Sequence, residues 1–511
     1  MIPSPDTASP LCIAGLGVPV IDFITPGKEE FEAGRQLIAE LKEIKSTLKG
    51  LSKIDQGCLN DTISKGPEEI AAAKEALAAF TAFVQDKNPI PGAKPDLDQD
   101  EADRVAVWFE TMLVAARAIK RAAEFLGRPE EGLHIRHIGG TTTNKFHAIQ
   151  SGFGDHVQTH LFGATGIEDD SKNLHRLWTE VKTNSKINFS IFDDLSLGKM
   201  PVNYIIQHGG DRVAFKAPIG NLARKIADDA AGLHPEKSAQ INDFLFKTKP
   251  DVFFIEGSDL SQKKFGPHAF DLFANAAMDA GATRGTATVL AMPTDTQLVL
   301  GEGELQKETR KHLDALIKDP STSMLTMNES EAVAYFCNST IPKGEENIPE
   351  NALFKRALEE IQVRLKQKSP HAHANRPSFE PIALVSAGKI GAYCVSADRC
   401  VFVPGNKPVR VVNSLGAGDA FAAGSFIEYT RILGETKTRD TNEHGYLRFT
   451  EDEFNAIVRR GHLLGMRAVE QKGAQVPPGD IAALVHGKAP THGTFEQRGV
   501  DVNEEISRGG V

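Results

Sequence analysis

Between residues 201 and 300, strand-like runs alternate with helix-like ones: Tyr204 to Gln207, Val252 to Glu256 and Thr286 to Ala291 against Pro267 to Ala280. The alternation continues with Ser323 to Met327, a helix-like Ala332 to Phe336, and Ala383 to Ser386. Neighbouring parallel strands cannot be joined by a tight turn and need a crossover, usually a helix. An α/β fold follows, with a mostly parallel sheet covered by helices. Leu11 to Gly15 adds a buried strand near the start, running on through Gly17 to Val20–Ile24.

The stretch with the most chemistry is Asn413-Ser414-Leu415-Gly416-Ala417-Gly418-Asp419-Ala420-Phe421. Val409 to Val412 before it is a β-branched run expected to form a strand. Ala420 to Leu433 after it predicts a helix, with Ala422, Phe426, Ile427 and Leu433 as its apolar stripe and Gly434 as its stop. Two glycines between strand and helix let backbone amides turn toward one point, where the helix dipole adds positive potential, so the stretch is an anion cradle. Asp419 in the first helical turn either offsets that dipole or serves as a base beside a phosphate.

Three more elements carry candidate residues. His134 to Asn144 holds the pair Gly139-Gly140, which allows close backbone approach to a ligand, and Asn144 is expected to open a helix. Asn328 and Glu331 have capping-box spacing. The strand ending at Ser386 runs into a turn containing Gly388, Lys389 and Gly391. Phe454 to Gln471 predicts a helix carrying His462 and ending at Lys472-Gly473-Ala474.

Asn413 to Phe421 resembles the D-T-x-G-A-G-D-x-F signature of ribokinase-like (PfkB) carbohydrate kinases, with Ser414 for Thr and Asn413 for the usual Asp. Gly139-Gly140 with Asn144 is similar to that family's G-G-x-x-x-N element, and Asn328 to Glu331 to its N-x-x-E motif. The resemblance implies a three-layer α/β/α domain and transfer of the ATP γ-phosphoryl group to a hydroxyl of a sugar or sugar-like alcohol. It makes Asp419 the base, with Gly416, Ala417 and Gly418 holding the transferring group. Asp22, Gly139, Gly140 and Asn144 would bind the acceptor. Asn328, Ser386, Gly388, Gly391, Asn413, Ser414 and His462 would line the nucleotide site, and Glu331 would help organise Mg²⁺. Because Asn413 lacks the charge of the family's Asp, weak or absent K⁺ dependence is expected. A nucleoside kinase, an ADP-dependent sugar kinase (faintly suggested by Lys216-Ala217-Pro218 with Asn221) and a non-catalytic nucleotide-binding relative stay open as alternatives.

The expected kinase domain is residues 11–28 and 134–479, between a loose tail at 1–10 and a polar tail at 480–511. Residues 29–133 depart from the family. Leu37, Leu41, Ile44 and Leu48, then Ile70 to Val84, then Trp108 to Leu126 carry helical stripes, so an all-helical insertion acting as a cap or lid is expected. A homodimer is an open option. The net charge of −10 argues against nucleic-acid and anionic-membrane partners. The five cysteines are scattered without C-x-x-C spacing, which suits a reducing cytoplasm and makes no zinc site. Neither a Walker-type G-x-x-x-x-G-K-[ST] nor a Rossmann fingerprint is present, and the N-terminal apolar stretch is too short to span a bilayer.

Overall fold

The computed structural model describes residues 10–16, 20–26, 32, 35, 135–164, 187–192, 202–208, 211–216, 247–257, 274–294, 296–342, 351–368, 379–405, 411–412, 414–435, 439–443, 445–470 and 475–486. They divide between two compact units: residues 1–22, 136–203 and 219–511 belong to one, residues 23–135 and 204–218 to the other.

A nine-stranded sheet forms the frame. Its strands are β1 (Leu11–Leu16), β4 (Val157–Ala164), β5 (Asn188–Phe192), β8 (Val252–Glu256), β9 (Ala287–Ala291), β10 (Thr322–Asn328), β11 (Ile382–Ser386), β12 (Gly391–Val395) and β13 (Cys400–Pro404). They lie in the order β13-β12-β11-β10-β9-β8-β1-β4-β5. From β5 to β11 every pairing is parallel, and β12 and β13 add an antiparallel edge. Strands β2 (Val20–Pro26), β3 (Ile135–Gly139), β6 (Val202–His208) and β7 (Asp211–Lys216) form a separate four-stranded sheet in the order β3-β2-β6-β7.

Successive strand side chains face opposite sides, and here both sides are apolar. Ile13, Phe254 and Leu384 join one buried cluster with helices α1 (Thr141–Phe153), α5 (Ala417–Gly434), α6 (Glu451–Val469) and α7 (Pro478–His486). Ala14, Phe253, Ile255 and Val385 join the other, with helical residues 274–284 and helices α2 (Glu304–Lys318), α3 (Glu329–Cys337) and α4 (Ala352–Lys366). This is the expected three-layer arrangement. From β1 the chain steps outward to β4 and β5, then returns to β8 and steps the other way to β11. Ligands of open α/β sheets bind beyond the carboxyl ends of the strands at such a reversal. Among the described residues no helix is long and apolar enough to cross a membrane.

Several local expectations change. The run from Leu11 to Ile24 is two strands in different sheets. Val411 and Val412 are not strand: the Val412 N–H is committed to the carbonyl of Val469, and Val411 is exposed. Helix α1 starts at Thr141, capped by the Gly140 backbone, so Asn144 lies one turn inside and its side chain is not a cap. The presumed tail at 480–511 opens with α7, where Asp480 and Ile481 are fully buried. The antiparallel β12–β13 edge was not anticipated. Of the expected helical insertion, Glu32 and Arg35 are helical and exposed, and the rest of 29–133 lies outside the described residues.

Candidate active site

Gly416 is in the left-handed region (φ 74°) at the N-cap of α5, a conformation that costs an L-residue with a Cβ roughly 1–2 kcal/mol. Its carbonyl accepts the first helical bond from the Ala420 N–H at 2.8 Å. Gly418 is exposed, and a Cβ there would meet nothing within 4 Å, so open space lies above the loop. Asp419 follows in the first turn with a side chain 13% exposed.

Helix α1 delivers the second part. Gly15 on β1 lacks a Cβ where one would lie 2.6 Å from Phe146 Cζ and 2.9 Å from Thr142 Cγ2, so α1 packs hard against the strand. That approach places Asn144 beside the signature helix: Asn144 Nδ2 donates to Asp419 Oδ2 at 3.1 Å, and Gln475 Nε2 donates to Asn144 Oδ1 at 3.2 Å. The next residue, Lys145, is buried. Its ammonium donates to Glu256 Oε1 at the end of β8 and lies 3.8 Å from Asp419 Oδ1. Burial opposes that charge, but Glu256 and then Asp419 outweigh it and hold the Lys145 pKa above the ordinary lysine value.

On α3 the capping box forms as expected. The Glu331 N–H donates to Asn328 Oδ1 at 2.9 Å, while Glu331 accepts from the Asn328 backbone N–H at 2.9 Å and from Asn328 Nδ2 at 2.7 Å. Burial pushes the Glu331 carboxyl up to about 7, against the Asn328 bond and Lys145, with Glu256 and Asp419 adding to the rise. Glu256 and Asp419 thus flank the Lys145 ammonium, and the Glu331 carboxyl lies within electrostatic reach of it. No group of three or more His, Cys, Asp or Glu among the described residues forms an all-protein metal cage.

The remaining candidates lie on several elements. Ser386 ends β11 opposite Asn328, which ends β10. Gly388 and Gly391 both have positive φ (57° and 146°) in the turn before β12. His462 on α6 packs on the Phe421 ring at 5.4 Å between centroids. Burial drives its pKa down to about 4 despite the nearby Gly391 backbone, so the imidazole is neutral. Neither ring nitrogen makes a hydrogen bond of acceptable geometry. Ser414 is exposed on the loop. Gly139 ends β3 and is buried. Asp22 lies on β2, but its side chain, like Asn413 and residues 472–474, falls outside the described residues.

Lys145, Glu256 and Gln475 were not anticipated. One signal was present: a carboxylate closing the wholly apolar run Val252 to Ile255. A separate cavity of about 790 Å³ includes Arg399, Arg431, Arg439 and Arg448 in its lining and contains none of the candidate residues. Each of those arginines already holds a carboxylate.

Residues 303–480 match the model of the pfkB family carbohydrate kinases. No curated protein matches the chain at a significant level. Among solved structures, a probable sugar kinase protein from Rhizobium etli CFN 42 is 13% identical with a TM-score of 0.50, over 94% of this chain and 98% of that one. The adenosine kinase from Sinorhizobium meliloti is 16% identical with a TM-score of 0.49, over 94% and 99%. At 13% identity the likeness to the Rhizobium etli structure is one of fold alone. Residues 303–480, which hold the capping box, the glycine turn and the signature helix, are thus the part of the chain that is similar to the pfkB family carbohydrate kinases.

Proposed function

We propose that the protein is an ATP-dependent kinase that transfers the γ-phosphoryl group to a hydroxyl of a sugar or sugar-like acceptor in the cytoplasm. The observation that carries this reading is the Asn144–Asp419 hydrogen bond, which joins the glycine-pair element to the signature helix across 275 residues. A base and an acceptor-binding side chain in contact at the mouth of an anion cradle are what hydroxyl phosphorylation needs.

In this reading Asp419 takes the acceptor's hydroxyl proton as the oxygen bonds to phosphorus and ADP leaves. Phosphoryl transfer has a loose transition state, so the base must be well placed rather than strong. The amides of Gly416, Ala417 and Gly418 receive the equatorial oxygens at the positive end of α5. Asp22, Gly139, Gly140 and Asn144 orient the acceptor. Asn328, Ser386, Gly388, Gly391, Asn413, Ser414 and His462 line the nucleotide side. Glu331 would help hold Mg²⁺ through water, and Mg²⁺ when bound offsets phosphate charge.

The test is acceptor-dependent turnover with Mg-ATP, and separately Mg-ADP, across sugars, sugar phosphates and nucleosides. Turnover with a sugar and ATP is expected. Turnover confined to nucleosides or to ADP would replace the acceptor or donor assigned here, and nucleotide binding without turnover on any acceptor would contradict the kinase.

A further inference from the structure

Asn144 and Lys145 are consecutive on α1 and address different oxygens of one carboxylate: Asn144 donates to Asp419 Oδ2, and the Lys145 ammonium faces Oδ1. Lys145 is also fastened to Glu256, so α1, β8 and α5 meet at one buried cation whose side chain is 5% exposed. A buried ion pair seldom stabilises a fold more than apolar residues of the same volume would. Retaining one here, beside the candidate base, calls for another reason. Met or Leu could fill this space, beside the buried Phe146, Ala148 and Ile149 of the same helix.

We propose that Lys145 is a positioning residue: with Asn144 it clamps the Asp419 carboxylate and, anchored by Glu256, holds it ionised and aimed at the acceptor hydroxyl. This deepens the kinase reading and rests on it for the role of Asp419. The charged groups facing Asp419 are Lys145 on α1, Glu256 at the end of β8 and Glu331 on α3. Lys145 supplies the positive charge among them, so its loss leaves Asp419 facing carboxyl groups with no cation beside it.

The discriminating variant is Lys145→Met, made alone and on a Glu256→Gln background, which leaves no unpaired charge from the broken pair and keeps the fold testable. Carboxyl ¹³C titration would follow Asp419, identified by the resonance lost in Asp419→Asn. Relative to Glu256→Gln, the double variant is expected to raise the Asp419 titration midpoint by about one pH unit or more. Its kcat at saturating substrate should fall at least about tenfold, while nucleotide Kd changes less than about twofold. A folded double variant with an unmoved midpoint and the kcat of Glu256→Gln would overturn the proposal and leave Lys145 as a mere partner of Glu256. The titration needs no turnover. Absence of acceptor-dependent activity in the parent protein would therefore count against the kinase reading alone.

Discussion

Gly15→Ala is a substitution at a strand residue that no candidate role touches, yet it should reach the site. The added Cβ would lie 2.6 Å from Phe146 Cζ, where ordinary contact begins near 3.4 Å, so ring or helix must yield by about 0.8 Å. The ring has little room. It packs edge-on against Phe254 at 5.5 Å, and Phe254 packs on Phe426 of α5 at 4.9 Å, all three fully or almost fully buried. The helix must therefore move, carrying Asn144 and Lys145, two and one residues upstream of Phe146. Overpacking of this kind costs about 1–3 kcal/mol, and a shift near 1 Å in a catalytic array can cost about a hundredfold in rate. Thermal unfolding should show a Tm lower by several degrees, and steady-state kinetics a kcat reduced at least about tenfold with little change in nucleotide affinity. A Tm within one degree of the parent, or a normal kcat in a destabilised protein, would refute the idea that this contact sets α1 against the site.

Two other outcomes follow from buried charges. Arg467 Nε and Nη2 donate to Asp480 Oδ2 at 2.9 and 2.8 Å, with both side chains buried, so Arg467→Met should cost about 3–5 kcal/mol and expose α7 to limited proteolysis. Burial lowers the Lys368 pKa to about 7 while the side chain donates to the carbonyls of Ile317 and Thr322. Above pH 7 the unfolded chain then binds more protons at this site than the folded one, so stability rises with pH up to the ordinary lysine value. The slope is at most about 1.4 kcal/mol per pH unit. Urea unfolding between pH 7 and 9 should show this rise, and Lys368→Met should flatten it; equal slopes would contradict the assignment.

Much of the frame was legible because it rests on local rules. Val252 to Ile255 and Ile382 to Val385 are apolar throughout because both faces of a covered parallel strand are buried. The Asn328–Glu331 capping box forms from spacing alone. The helix start at the glycine loop was legible because Gly416 to Asp419 lie within one turn. The rest needed tertiary contacts. Lys145 meets Glu256 from 111 residues away, and no periodicity encodes that pairing. The β-branched run at 409–412 has strand propensity, but the Val412 N–H goes to the end of α6. Asp480 made the last segment look solvated, whereas its carboxylate is buried by Arg467. The β12–β13 edge pairs antiparallel beyond the glycine turn, and nothing in a strand-prone run such as Cys400 to Val403 encodes the direction of its pairing.

The central claim is that Asp419 is the base of a phosphoryl transfer. The direct measurement is single-turnover transfer of labelled γ-phosphate to the acceptor found by the panel, in the parent protein and in Asp419→Asn, with nucleotide affinity measured on both. The account predicts that transfer in the variant falls at least about a hundredfold while nucleotide Kd stays within about threefold. Transfer at the parent rate in the Asp419→Asn protein would contradict it.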